Sequence, residues 1–207
     1  MSNFIKYQNI SNKLAILNTY HQSILEEYRK NFCELEFKDF TEQQKNHIEK
    51  YSQGYPIGYD SYYKAKNKNV NKMGWHIAPL FAEDKMYYNN TKKLPVLTKL
   101  LEQIGLTTVC AINVLDPGQS LEWHIDKDYI PGIQLYRIIW GLDINEEENK
   151  SSIIQILGKH EIVETKKVVN KQFYIFHPQL KHRVQNDMQT PRSVLCIDYL
   201  PKGYSVL

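Results

Sequence analysis

The chain has 207 residues, 42% hydrophobic and 24% charged, a size and composition that suit one domain, residues 1–207, with a packed core. A net charge of +3 is too small to imply nucleic acid by itself, and no run approaches the ~20 apolar residues of a membrane span. Three sparse cysteines and the absence of a long apolar run in Met1 to Ile10 are read as a reduced, cytoplasmic protein without a disulfide framework.

The N-terminal part, residues 1–70, reads as helical. Ile10, Leu14, Leu17, Tyr20, Ile24, Leu25 and Tyr28 recur at spacings of three and four, which predicts one amphipathic helix over Ile10–Tyr28. Ser11 and Asn12 offer N-cap oxygens. A second helix is expected after Thr41, where Thr-Glu-Gln-Gln resembles a capping box. Gly54, Pro56 and Gly58 mark a loop, and the lysines and asparagines of Lys64 to Lys72 read as a solvated one. A third helix starts near Pro95, carries the stripe Leu97, Leu100, Leu101 and Ile104, and ends at Gly105.

Beyond Gly105 the hydrophobic period drops from about 3.6 to about 2. Thr107–Leu115 reads as a strand stopped by the turn Asp116-Pro117-Gly118. Ser120–Asp126, Ile133–Ile144, Ile153–Leu157, Ile162–Val169, Gln172–Phe176 and Arg192–Leu200 are further strands, with Gly158-Lys159 as a hairpin turn. Helices first and antiparallel strands after predict an α+β domain, and many short strands suggest a sandwich or jelly roll.

The segment Leu121-Glu122-Trp123-His124-Ile125-Asp126 carries the chemistry. Residues two apart in a strand share a face, so His124 and Asp126 converge while Trp123 and Ile125 point away. A third ligand would come from His182, with His177 the weaker candidate at a strand end. Two histidines and one carboxylate make a facial triad with open positions, the donor set of iron(II) oxygenases. A lone His-x-Asp is common by chance. Arg192 adds specificity: it lies ten residues after His182 and opens the last strand, offering a fork for the far carboxylate of 2-oxoglutarate.

These residues resemble the aspartyl/asparaginyl β-hydroxylase family of cupin-fold oxygenases. The likeness runs over Gly74-Trp75, Pro79-Leu80, Pro95 to Leu101, Asn113 to Gly118, His124, Arg137 to Leu142, Phe176-His177, His182 to Asn186 and Arg192. It implies a double-stranded β-helix core over residues 74–200, with the N-terminal helices packed on one side. It also implies iron(II), with 2-oxoglutarate and dioxygen as co-substrates. It further implies that Arg192, helped by Asn113, binds the far carboxylate, and that Arg137 and Trp75 lie by the substrate. Asp126 stands where the domain that gives the family its name has glycine, so the chain looks more like the free amino-acid hydroxylases, such as the proline hydroxylases. Ile139 stands where that domain has a histidine.

The expected activity is hydroxylation of a small polar molecule, most naturally a free amino acid or derivative. No acidic residue lies beside Arg137 in its own strand, so the carboxylate of such a substrate is its expected partner. The alternatives are a hydroxylase of a peptidyl residue in a partner protein, and a non-catalytic cupin that only binds metal. Arg192 weighs against the latter. Asp126 weighs against a halogenase, which needs that carboxylate absent. The sequence leaves the oligomeric state, and any role for Asp198, open.

Overall fold

A strand buried on both faces reads as an unbroken apolar run, and one with a solvated face alternates. Both kinds occur here, and they sort into two sheets. The computed structural model describes residues 4, 8–39, 74–82, 85–105, 109–126, 135–158 and 161–199. Its helices are α1 (Gln8–Thr19), α2 (His21–Asn31), α3 (Tyr88–Thr91) and α4 (Pro95–Ile104). Its strands are β1 (Lys38–Asp39), β2 (Trp75–Ala82), β3 (Lys85–Met86), β4 (Val109–Leu115), β5 (Ser120–His124), β6 (Tyr136–Asp143), β7 (Ser152–Leu157), β8 (Val163–Lys167), β9 (Phe173–Phe176), β10 (His182–Asn186) and β11 (Arg192–Tyr199).

The seven-stranded sheet runs β1-β2-β4-β11-β6-β9, with β3 beside β2, and the four-stranded sheet runs β5-β10-β7-β8. The named strands pair antiparallel. The architecture is α+β, a double-stranded β-helix with helices on one side. In the large sheet β6 and β11 are buried nearly throughout, while β7 and β10 alternate buried and half-buried residues. Accordingly there are two cores. Leu14, Leu17, Ile24 and Leu101 of the helices pack with Ile138, Trp140 and Leu195 on the outer face of the large sheet. Ile139, Phe176 and Val194 meet Leu121, Ile154, Ile156 and Val184 between the sheets.

The helical run expected over Ile10–Tyr28 is two helices. Tyr20 leaves the helical region (φ −101°, ψ 12°) and is exposed. The break lets α1 lie along α4 while α2 turns onto β6. At the joint the Trp140 indole donates to Asn18 (2.8 Å), and His21 Nε2–H donates to the Leu142 carbonyl (2.9 Å). Ser11 and Asn12 do not cap α1, because it begins at Gln8. The third helix matches its expectation: Pro95 sits in its first turn and Gly105 ends it in the left-handed region (φ +66°). Its free N–H groups at Val96 and Leu97 are capped by the Glu27 carboxylate from α2 (2.9 and 3.2 Å).

Strand β5 stops at His124, so Asp126 lies just past its end, not within it. Four of the described strands, the two-residue β1 and β3 and the longer β2 and β10, were not among those expected from the sequence. Pro79 reads as a breaker, yet β2 absorbs it at a register shift between Pro79 and Phe81. The turn Asp116-Pro117-Gly118 closes with Gln119 N–H on Asp116 O (3.2 Å) and Gly118 at φ +69°. The β7–β8 hairpin forms as expected. The helix after Thr41, the loop at Gly54 to Gly58, Lys64 to Lys72, Ile133 and Lys159 lie outside the described residues. Among the described residues no helix is long and apolar enough to cross a membrane.

Candidate functional site

The two candidate histidines come from adjacent antiparallel strands. β5 and β10 place His124 directly opposite His182, with ring centroids 4.3 Å apart. Between that pair and Leu121↔Val184 the register shifts: β5 carries one residue more than β10. Such a bulge re-aims side chains beside functional sites. Here it lets both Leu121 and His124 face the space between the sheets, where strict alternation would turn one of them out. Trp123 lies on the other face under the Arg183 guanidinium (5.2 Å), and Ile125 is exposed.

Asp126 N–H donates to Pro178 O (3.1 Å), which ties the segment after β5 to the loop before β10. That bond brings the carboxylate between the imidazoles: Oδ1 lies 3.6 Å from His124 Nε2, and Oδ2 lies 3.9 Å from His182 Nε2. One ligand atom from each of His124, Asp126 and His182 falls within 4.8 Å of the others. Both rings are held by their far nitrogens, since a carbonyl can only accept. His124 Nδ1–H donates to Glu122 O (2.6 Å) and His182 Nδ1–H to Leu180 O (2.8 Å). This fixes the tautomer and leaves each Nε2 lone pair for a metal. His177 is elsewhere: its Nδ1 bonds Leu135 O (3.2 Å) and its ring lies against Tyr136.

Burial lowers the His182 pKa to about 4, so the ring is a neutral ligand at neutral pH. For Asp126 burial pushes upward, but Arg137, His182 and His124 outweigh it and hold the carboxyl below its usual range. A neutral imidazole and an ionised carboxylate are what a divalent cation requires.

The triad opens onto a cavity of about 100 Å³ whose lining also includes Trp75, Asn113, Arg137 and Arg192. At roughly 10–15 Å³ per water, that is room for a small organic acid. All seven residues singled out from the sequence therefore meet in one space. The anchor candidates sit on the large sheet. Arg192 of β11 is 3% exposed, and its Nε and Nη1 have no hydrogen-bond partner among the described residues; the same is true of Asn113 Oδ1 on β4. Burial lowers the Arg192 pKa to about 10, which still leaves a full charge at neutral pH. An unpaired buried guanidinium is costly, and a buried anion is its natural complement.

Arg137 differs from its expectation. It does face the cavity, but it is not waiting for a partner. Its Nε and Nη2 donate to Asp198 Oδ1 and Oδ2 (2.7 and 2.8 Å), and its Nη1 bonds Asp126 Oδ2. Asp198 is its cross-strand neighbour on β11, which a reading along β6 alone does not reveal. A signal for Asp198 was present: Arg192, Val194, Cys196 and Asp198 share one face by alternation, and Arg192 sets that face inward. Cys196 lines the cavity too, and burial pushes its thiol up to about 12.

A sequence model of the aspartyl/asparaginyl beta-hydroxylase family matches residues 20–201. Among curated proteins none matches by sequence. A prolyl-4-hydroxylase from Pseudomonas putida superposes with a TM-score of 0.45 at 11% identity, over 88% of this chain and 100% of that one. An oxalate oxidase superposes with a TM-score of 0.38 at 14% identity, over 64% of this chain and 54% of that one, about half its length. Peruvianin-I, a cysteine peptidase from Thevetia peruviana latex, gives a TM-score of 0.39 at 11% identity, over 66% and 69%. Likenesses this distant carry nothing about chemistry.

Proposed function

The chain belongs to the aspartyl/asparaginyl beta-hydroxylase family, and from that premise we propose that it is an iron(II)- and 2-oxoglutarate-dependent dioxygenase that hydroxylates a small polar substrate. A free amino acid or a derivative is the substrate class we favour. The observation that carries the reading is Arg192, a buried cation whose Nε and Nη1 are unpaired among the described residues, in the cavity that holds His124, Asp126 and His182.

The donor set fits iron(II): two imidazole nitrogens and one carboxylate oxygen, with room on the cavity side for further ligands. Arg192 would take the far carboxylate of 2-oxoglutarate through its fork, and Asn113, its diagonal neighbour on β4, would add an amide hydrogen bond. Iron held by His124, Asp126 and His182 would supply the oxygen chemistry, in which one atom of dioxygen would become the substrate's new hydroxyl and the other would pass to succinate as 2-oxoglutarate loses carbon dioxide.

The protein's own part is positioning. The Glu122 and Leu180 carbonyls hold the two rings, so the ligand atoms need not reorganise when metal arrives. Trp75, Leu121, Ile154, Phe176 and Val184 wall the cavity with apolar surface, which keeps the Arg192 charge poorly solvated until an anion enters. Trp75 lines the wall formed by β2 and is the side chain we place beside the substrate.

The experiment is succinate formation under iron(II) and oxygen, screened with free amino acids and with peptides that contain them. We expect a free amino acid to accelerate it. Acceleration by peptides alone would move the substrate to a partner protein. Absence of 2-oxoglutarate binding to metal-loaded protein would leave only a metal-binding cupin. Arg192→Ala should raise the apparent Michaelis constant for 2-oxoglutarate ten-fold or more. Breaking a buried charge pair costs about 2–5 kcal/mol, at ~1.4 kcal/mol per decade.

A further inference from the structure

Arg137 reaches across the barrel. It stands on the large sheet, yet its Nη1 bonds a carboxylate carried by the segment after β5 of the small one. The rest of its fork is spent on Asp198, which is 4% exposed and grips Nε and Nη2 with both oxygens. The two oxygens of Asp126 have different neighbours: Oδ2 takes the bond from Arg137 and lies 3.9 Å from His182 Nε2, and Oδ1 lies 3.6 Å from His124 Nε2.

We propose that Asp198 is a positioning residue for the metal centre, acting through Arg137 to fix the Asp126 carboxylate so that one oxygen is presented to a divalent cation beside the two imidazoles. The inference rests on the metal site proposed above and adds a division of labour behind it. A cation placed directly against a metal ligand would orient it but would also repel the metal. Asp198 cancels that charge at hydrogen-bonding distance, so the pair orients Asp126 without adding net positive charge. Outer partners of ligating carboxylates act in this way in metal sites generally. The same bonds argue against Arg137 as the anchor of a substrate carboxylate, because the edge of the guanidinium that best accepts one is occupied by Asp198.

The test is cobalt(II) binding, read from the dissociation constant and from the visible spectrum, which reports coordination geometry without turnover. Asp198→Asn keeps the shape and removes the charge. Loss of a supporting outer partner typically weakens metal binding about ten- to hundred-fold, and we expect a loss of that size with an altered cobalt spectrum. If Asp198→Asn does not fold, Arg137→Met combined with Asp198→Leu replaces the buried pair by apolar side chains of similar size, a change that buried pairs commonly tolerate. It removes orientation at constant net charge, and about ten-fold weaker binding is expected. A folded variant with an unchanged cobalt constant overturns the proposal, whatever its melting temperature. So does an unchanged constant accompanied by a shifted substrate Michaelis constant, which would return Arg137 to the substrate. Failure of the unaltered protein to bind any divalent cation would instead overturn the metal site itself.

Discussion

A guanidinium sealed in a barrel with two nitrogens unpaired among the described residues is a standing cost until an anion arrives. Arg192 should therefore oppose stability in the ligand-free protein. Replacing a buried charge by an apolar side chain of similar volume is often neutral or stabilising by about 1–4 kcal/mol. Arg192→Met is expected to leave the thermal midpoint unchanged or raised without 2-oxoglutarate, and to abolish the upward shift that 2-oxoglutarate gives the unaltered protein. A lowered midpoint without ligand would mean that the charge has a native partner. His21 is a second residue whose environment sets a measurable property. It is 4% exposed, and burial lowers its pKa from the usual value of 6.5. The folded state then binds fewer protons than the unfolded one near that pH, so stability should fall as pH drops below about 6.5. Thermal melts between pH 7.5 and 5 should show a smaller decline in His21→Gln than in the unaltered chain. The thiols differ as well. Cys110 and Cys196 are held protonated by burial, whereas Cys33 is exposed. Brief alkylation of the native protein near pH 8 should therefore label Cys33 and spare the other two by mass spectrometry.

At the level of elements, the closure of β6 depends on a missing side chain. A Cβ on Gly141 would lie 1.9 Å from the Val169 carbonyl oxygen, and the backbone there exchanges Gly141 N–H to Gln172 O (3.2 Å) and Lys171 N–H to Gly141 O (3.0 Å). The atoms in the way are backbone, so nothing can rotate aside. Gly141→Ala should cost about 1–3 kcal/mol of stability by denaturant titration. How far such elements can be read from sequence depends on whether their signal is local. The helix at Pro95 and the stop at Gly105 are local chemistry, and β4, β6, β7 and β11 announce themselves by runs of apolar residues. The break at Tyr20 is not local: it follows from where Trp140 and Leu142, over a hundred residues away, meet Asn18 and His21. β10 is short, and its inward face carries the buried polar residues His182 and Asn186 beside Val184, so no alternation of apolar and polar residues marks it. His124 and Asp126 were legible because they are close in sequence, and His182 because its spacing to Arg192 resembles the family's. The partnership of Arg137 with Asp198 was not, because it depends on the register of β6 against β11.

At the scale of the molecule, and among the described residues, the large sheet packs against helices on one face and the small sheet on the other, while strand β7 of the small sheet alternates buried and half-buried residues. A ligand that binds only the folded chain stabilises all of it. Metal at 100 times its dissociation constant should add about 2.7 kcal/mol, seen as a rise in thermal midpoint that a chelator reverses. His124→Ala should remove that rise, with the metal-free melt of the variant as its reference. The two sheets also divide the cavity between them. His124 and His182 ride on the four-stranded sheet, with Asp126 just beyond β5, while Arg192 and Asn113 ride on the seven-stranded one. The span from triad to guanidinium is set by what lies between the sheets, Ile154 and Val184 against Ile139, Phe176 and Val194, together with the Arg137–Asp126 ion pair that crosses it. That filling works as a calliper. Trimming Ile154 to alanine should loosen its jaws and ease discrimination among four-, five- and six-carbon 2-oxo diacids in competition binding, so the preferred length of the acid would be gauged by oily residues that never touch its charged ends.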